Sequence, residues 1–133
     1  AGLSRSTDAG NRSSVATVTK VAVPVYMKAN AQRGILYVEE GRGGSGLTDK
    51  TINEAYGLAK GVVTDDKVLR MGPWFARHLT DLQRAANSNP ESEDWPGAGA
   101  VAWLLWGGNP LQPEQSIKWA DRQARIIREG ENY

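Results

Sequence analysis

Residues 97–106 read GAGAVAWLLW, and their only polar side-chain atoms are the indole N–H groups of Trp103 and Trp106. A helix apolar on every side cannot leave one edge in water, so the segment predicts a short central helix enclosed by others. Gly107-Gly108-Asn109-Pro110 then breaks it sharply. The 133 residues match one domain, for which about 100–200 is the usual size. A chain of this size buries roughly two-thirds of its unfolded surface, enough for one modest core.

The enclosing elements are legible as amphipathic stripes. From Tyr26 to Glu40, Met27, Ala31, Leu36 and Val38 with Ile35 give a rough helical stripe. Gly34 weakens it by about 1 kcal/mol relative to Ala. Residues 41–46 (GRGGSG) end it as a flexible hinge. Thr48 is placed to cap a second helix, whose apolar face is Ile52, Ala55, Tyr56 and Ala59. Thr64 is placed to cap a third, with Val68, Met71, Phe75, His78 or Leu79, and Leu82 along one face down to about Ala86. Pro73 inside that run predicts a kink or restart. Residues 87–96 (NSNPESEDWP) read as a polar loop, with Glu91, Glu93 and Asp94 solvated. Pro113 suits the first turn of a last helix with Ile117, Ala120, Ala124 and Ile127 inward, ending near Gly130.

The front of the chain differs. Residues 1–14 (AGLSRSTDAGNRSS) carry one large apolar side chain, Leu3, and bury too little to offset the entropy of ordering without a partner. Residues 15–25 (VATVTKVAVPV) are β-branched and want to be extended, while Pro24 demotes them to an edge strand. No second strand is evident nearby, so the segment either adds to another chain or lies across its own body. Residues 1–46 carry Arg5, Arg12, Lys20, Lys28, Arg33 and Arg42 against Asp8, Glu39 and Glu40, a surplus of three positive charges; the remainder is net −2. A basic front on an acidic body suggests an arm for an acidic surface. The expected fold is mainly α: a compact bundle of about five helices over residues 26–133, with an extended, β-prone N-terminal arm over residues 1–25.

Composition removes several chemistries. Without cysteine there are no disulfides, Cys-ligated zinc, iron–sulfur clusters or thiol nucleophiles, and one histidine cannot build a His-rich metal site. No run approaches the ~20 apolar residues of a membrane span. The glycine run at 41–46 lacks the Gly-Lys-Ser/Thr ending of a phosphate loop, so no cofactor is expected. His78 and Asp81 share a helix face, half of a general-base arrangement. No serine sits in a Gly-x-Ser-x-Gly elbow to complete it. The simpler reading is a histidine satisfied by a local carboxylate, and no catalytic residue is assigned. Trp74, Phe75, His78, Asp81, Trp103, Trp106 and Trp119 read as a structural core motif, with an aromatic contact patch as the alternative. Residues 48–70 admit a helix-turn-helix reading. The acidic Thr64-Asp65-Asp66 opening argues against DNA, while Lys67, Arg70, Arg77 and Arg84 keep it alive.

Several strings carry a resemblance. They are Asn30-Ala31-Gln32-Arg33-Gly34, Gly41-Arg42-Gly43-Gly44, Asp66-Lys67-Val68-x-Arg70-Met71, Phe75-Ala76-Arg77-His78-x-x-Asp81, Trp95-Pro96-x-x-Gly99-x-Val101-Ala102-Trp103-x-x-Trp106-Gly107-Gly108, and Trp119-Ala120-x-Arg122. Over about residues 26–125 the chain resembles a small module of tailed-bacteriophage virion proteins, found alone or attached to head-maturation proteases and other head proteins. The resemblance implies a structural, non-enzymatic role in the virion, assembled in the bacterial cytoplasm. The expectation is a capsid decoration or cement protein. Its partners would be the major capsid protein or neighbouring copies of itself, with no membrane, small-molecule substrate or nucleic acid. Val15, Val18, Val21, Val23 and Val25 would anchor the arm, with Arg5, Arg12 and Lys20 as electrostatic contacts. The alternative is a DNA-binding head or packaging accessory protein.

Overall fold

The computed structural model describes residues 19–131. They form a mainly helical fold with one two-stranded sheet. In chain order the elements are β1 (Lys20–Ala22), α1 (Val25–Glu39), α2 (Asp49–Ala59), β2 (Val62–Thr64), α3 (Asp65–His78), a 3-10 segment (Leu79–Gln83), a short α4 (Ala85–Ser88), α5 (Ala98–Leu105) and α6 (Pro113–Glu131).

The all-apolar segment is the buried central helix: Ala100, Val101, Trp103, Leu104 and Leu105 of α5 are buried. It packs on α1, while α1 also packs on α2 and α3 on α6. One core cluster joins Met27, Leu58, Val68, Met71 and Phe75 to Trp103, Trp106 and Trp119. A smaller cluster joins Ile35 and Ala55 to Val101 and Leu105. The end of α5 follows a regular chemistry. Gly107, at φ 87°, donates to the Leu104 carbonyl, and Gly108 donates to that of Trp103. This left-handed glycine closure satisfies two carbonyls the helix would otherwise strand.

Local signals hold where they are chemical. The Thr48 and Thr64 hydroxyls accept from the amides of Thr51 and Lys67. Pro113 opens α6. Signals that depend on neighbours fare worse. Leu36 and Tyr56, expected inward, are 58% and 44% exposed. Met27, Ala31 and Ile35 of α1 and Ala55 of α2 are buried as expected, joined by Gly34 and Leu58. Of the kink or restart expected at Pro73, the restart does not occur: α3 runs unbroken through Pro73 and gives way to 3-10 geometry only after His78. There the indole N–H of Trp103 takes the His78 carbonyl at 3.0 Å. The 41–46 hinge is tied down, because the Arg42 guanidinium donates to the Trp95 carbonyl at 2.9 Å. The polar loop begins in α4, whose Asn87 is buried.

The largest correction concerns the arm. β1 pairs antiparallel with β2 of the same chain, with Lys20 opposite Thr64, Val21 opposite Val63 and Ala22 opposite Val62. Val21 and Val23 pack against the core, and Val23 N–H donates to the Gly61 carbonyl. Residues 20–25 therefore belong to the body rather than to an arm. The partner strand is three residues squeezed between two helices, too short to show a period of its own. Arg5, Arg12, Val15 and Val18 lie outside the described residues.

Candidate functional site

Five charged and aromatic side chains from α2, α3 and the turn after α5 line up as one column that ends on Asp81. At one end, Glu54 of α2 accepts from Lys67 Nζ at 2.9 Å and from Arg70 Nη2 at 2.6 Å. Lys67 Nζ sits 3.2 Å from the centroid of the Trp106 ring. Trp106 stacks on Trp74 at 4.6 Å and 13°. Trp74 stacks on His78 at 4.3 Å and 25°. His78 Nδ1 lies 3.0 Å from Asp81 Oδ2.

The spacing along α3 explains half of this. Lys67, Trp74 and His78 fall at i, i+7 and i+11, one stripe of a 3.6-residue helix. Phe75, one position round, faces Trp103 at 4.9 Å. The rest is tertiary. Trp106 comes from beyond α5 and Glu54 from α2, so no local pattern reports them. Of the expected core motif, Phe75, Trp103, Trp106 and Trp119 are buried and Trp74 is partly so. His78 and Asp81 sit at the surface end, 38% and 43% exposed. Lys67 and Glu54 are the residues that sequence reasoning missed as a pair. The available signal was a lysine in register with the apolar face of α3.

Electrostatics follow from burial. Lys67 is 1% exposed. Burial pushes its ammonium down to about 8, against the opposing pull of the Glu54 hydrogen bond and charge. Burial alone would raise the Glu54 carboxyl, but hydrogen bonds from Arg70 and Lys67 bring it below its ordinary value. Its hydrogen bond and charge pairing with Glu54, and then those with Asp66, hold Arg70 above its own. A face-on indole is a good neighbour for a desolvated ammonium, because the ring quadrupole is negative on its face.

The column also bears on catalysis and nucleic-acid binding. Asp81 orients the His78 ring, but among the described residues no hydroxyl is hydrogen-bonded to that ring. No group of three or more His, Asp and Glu side chains is placed to hold a metal ion among the described residues. No helix there is long and apolar enough to cross a membrane. Of the four basic residues behind a DNA-reading helix, Lys67 is buried against Glu54 and Arg70 is shared between Glu54 and Asp66. Two of the four are thus engaged by carboxylates rather than turned to phosphate.

A second feature meets this column at Glu54 and Lys67. A groove of about 570 Å³ lies between α2 and the outer face of the sheet, with Lys20, Lys50, Asn53, Gly57, Val62 and Thr64 in its walls. Among the described residues, Lys20 is the one expected arm contact that lines this groove. Val25, by contrast, opens α1 and is 82% exposed.

No protein-family model matches this chain, and neither a curated protein nor a solved structure does.

Proposed function

We propose that this chain is a structural virion protein of a tailed phage, a capsid decoration or cement protein whose helical body rests on the shell. An arm, now residues 1–18, reaches capsid subunits or neighbouring copies. The observation that carries the reading is where the β1–β2 ladder stops. Asp65 N–H donates to the Thr19 carbonyl, and Asp65 is already the first residue of α3. In that register the positions opposite Val15–Val18 are helical, so β2 offers them no strand. The β-branched run of the sequence starts at Val15, whereas β2 is three residues long and ends where α3 begins, so an edge on another chain would supply further pairing. The resemblance of the motif strings to a module of tailed-phage head proteins supports the same reading, in which the column that ends on His78 and Asp81 acts as packing.

The DNA-accessory reading loses ground because Lys67 and Arg70 are engaged by Glu54. Quantitative mass spectrometry of purified virions tests the proposal. The expected result is a copy number in a fixed, symmetric ratio to the major capsid protein. Absence from particles overturns it. So does tight duplex-DNA binding whose logarithm falls steeply with the logarithm of salt concentration.

A further inference from the structure

The groove between α2 and the sheet is built from two separate faces. On α2, Lys50, Asn53, Glu54 and Gly57 fall at i, i+3, i+4 and i+7, a stripe distinct from the core-facing Ala55 and Leu58. On the sheet, the register puts Lys20, Val62 and Thr64 on the face opposite the buried Val63. Gly57 and Val62 give an apolar floor. Among the described residues the only acid in the groove, Glu54, is committed to Lys67 and Arg70, and neither Lys20 nor Lys50 has a carboxylate partner. The free charge of the groove is therefore positive. Asn53 is exposed, and its carboxamide offers one acceptor and two donors, the complement of a peptide group.

These features select an occupant. A phosphate or a free metal ion has no use for an apolar floor. A small organic acid bound tightly would be mostly enclosed, since ligand sites bury about 70–90% of their ligand, and this groove is a partly open concavity rather than an enclosed cavity. We propose that the α2–sheet groove is a docking site for an extended, acidic segment of a partner polypeptide. An apolar side chain sits on Val62 and Gly57, the peptide group pairs with Asn53, and a carboxylate lies between Lys20 and Lys50. The groove is lined by residues between Lys20 and Lys67, so its test and the test of residues 1–18 can fail separately.

The test uses the full chain, isotopically labelled, and a capped synthetic peptide Val-Glu-Val-Glu-Val followed by amide NMR shifts. Shifts are expected at Lys50, Asn53, Gly57 and Val62, saturating with peptide and weakening as salt rises. Two exposed-site variants read the contacts. The Lys20→Glu/Lys50→Glu double variant lowers affinity about tenfold, as loss of two surface ion pairs plus repulsion implies. The Asn53→Ala variant lowers it about threefold. Both keep the native spectrum elsewhere. A peptide with lysine in place of glutamate does not bind. The proposal is overturned if the acidic peptide leaves these amides unmoved at millimolar concentration. It is equally overturned if octanoate shifts them as strongly as the peptide and ignores Asn53→Ala, which makes the groove a small-acid pocket.

Discussion

Trp74 and Trp106 stack almost parallel, 4.6 Å between ring centroids and 13° apart. That contact joins a charged, buried lysine to a surface histidine through two indoles. Its consequence is asymmetric. Lys67 is held by a carboxylate on one side and an aromatic face on the other, and it tolerates loss of its own charge far better than loss of the carboxylate.

Glu54→Gln leaves the Lys67 ammonium buried without its counter-charge. We expect a loss of about 2–4 kcal/mol, below the top of the range for a broken buried pair because Glu54 is 22% exposed. Lys67→Met removes the buried charge, keeps the volume and leaves Glu54 with Arg70. We expect less than about 1.5 kcal/mol. Urea unfolding of the two variants beside the wild type checks the ordering, and equal losses would refute the asymmetry.

The same lysine sets a pH dependence. The folded chain releases the Lys67 proton near pH 8, while the unfolded chain keeps it to about 10.5. Between those values the unfolded state binds more protons, so the contribution of this group to stability rises with pH. Below pH 8 the cost of the buried charge is fully present. The stability difference between wild type and Lys67→Met should therefore shift in favour of the wild type from pH 8 towards 10. A flat difference across that window contradicts the burial argument.

Gly34 is a test of packing against propensity. A Cβ there would stand 2.9 Å from the Leu105 backbone nitrogen and 3.0 Å from Leu104 Cβ. Ala gains about 1 kcal/mol of helix propensity but must force α1 and α5 apart, an overpacking cost of about 1–3 kcal/mol. Backbone atoms cannot rotate aside, so we expect net destabilisation of about 1 kcal/mol, read as a lowered thermal midpoint.

Asn87 caps α5 from a distance. Its Oδ1 accepts from Ala100 N–H at 3.0 Å and its Nδ2 donates to the Asp81 carbonyl at 2.8 Å. Asn87→Ala strands the buried Ala100 N–H and removes one of the two donors to the Asp81 carbonyl, which Arg84 N–H also reaches, and should cost about 1–3 kcal/mol. Hydrogen exchange should quicken first at the start of α5. Unchanged protection there would show that the cap is dispensable.

These cases also show which structure a sequence displays. The Thr48 and Thr64 caps act within three residues, and the apolar α5 admits no orientation but burial, so both were legible. Gly34 reads as a weakness in α1 until Leu105 is placed against it. Val62–Thr64 is too short to announce a strand, which is why β1 looked partnerless and residues 20–25 read as part of an arm rather than of the body. Lys67 and Glu54 belong to different helices, and only the packing of α2 over the start of α3 makes them a pair. His78 and Asp81 were found as neighbours by their spacing, while the stack that connects them to Lys67 passes through Trp106, which no spacing rule reaches.

The central claim is that residues 1–18 find their strand partner on another chain while the body stands alone. Deleting residues 1–18 and sedimenting the truncated and full chains with virions of the phage proposed to encode them tests it directly. The account predicts that the truncated chain keeps its thermal midpoint and helical spectrum but stays in the supernatant, while the full chain pellets with particles. A truncated chain that pellets equally well, or that no longer folds, contradicts it.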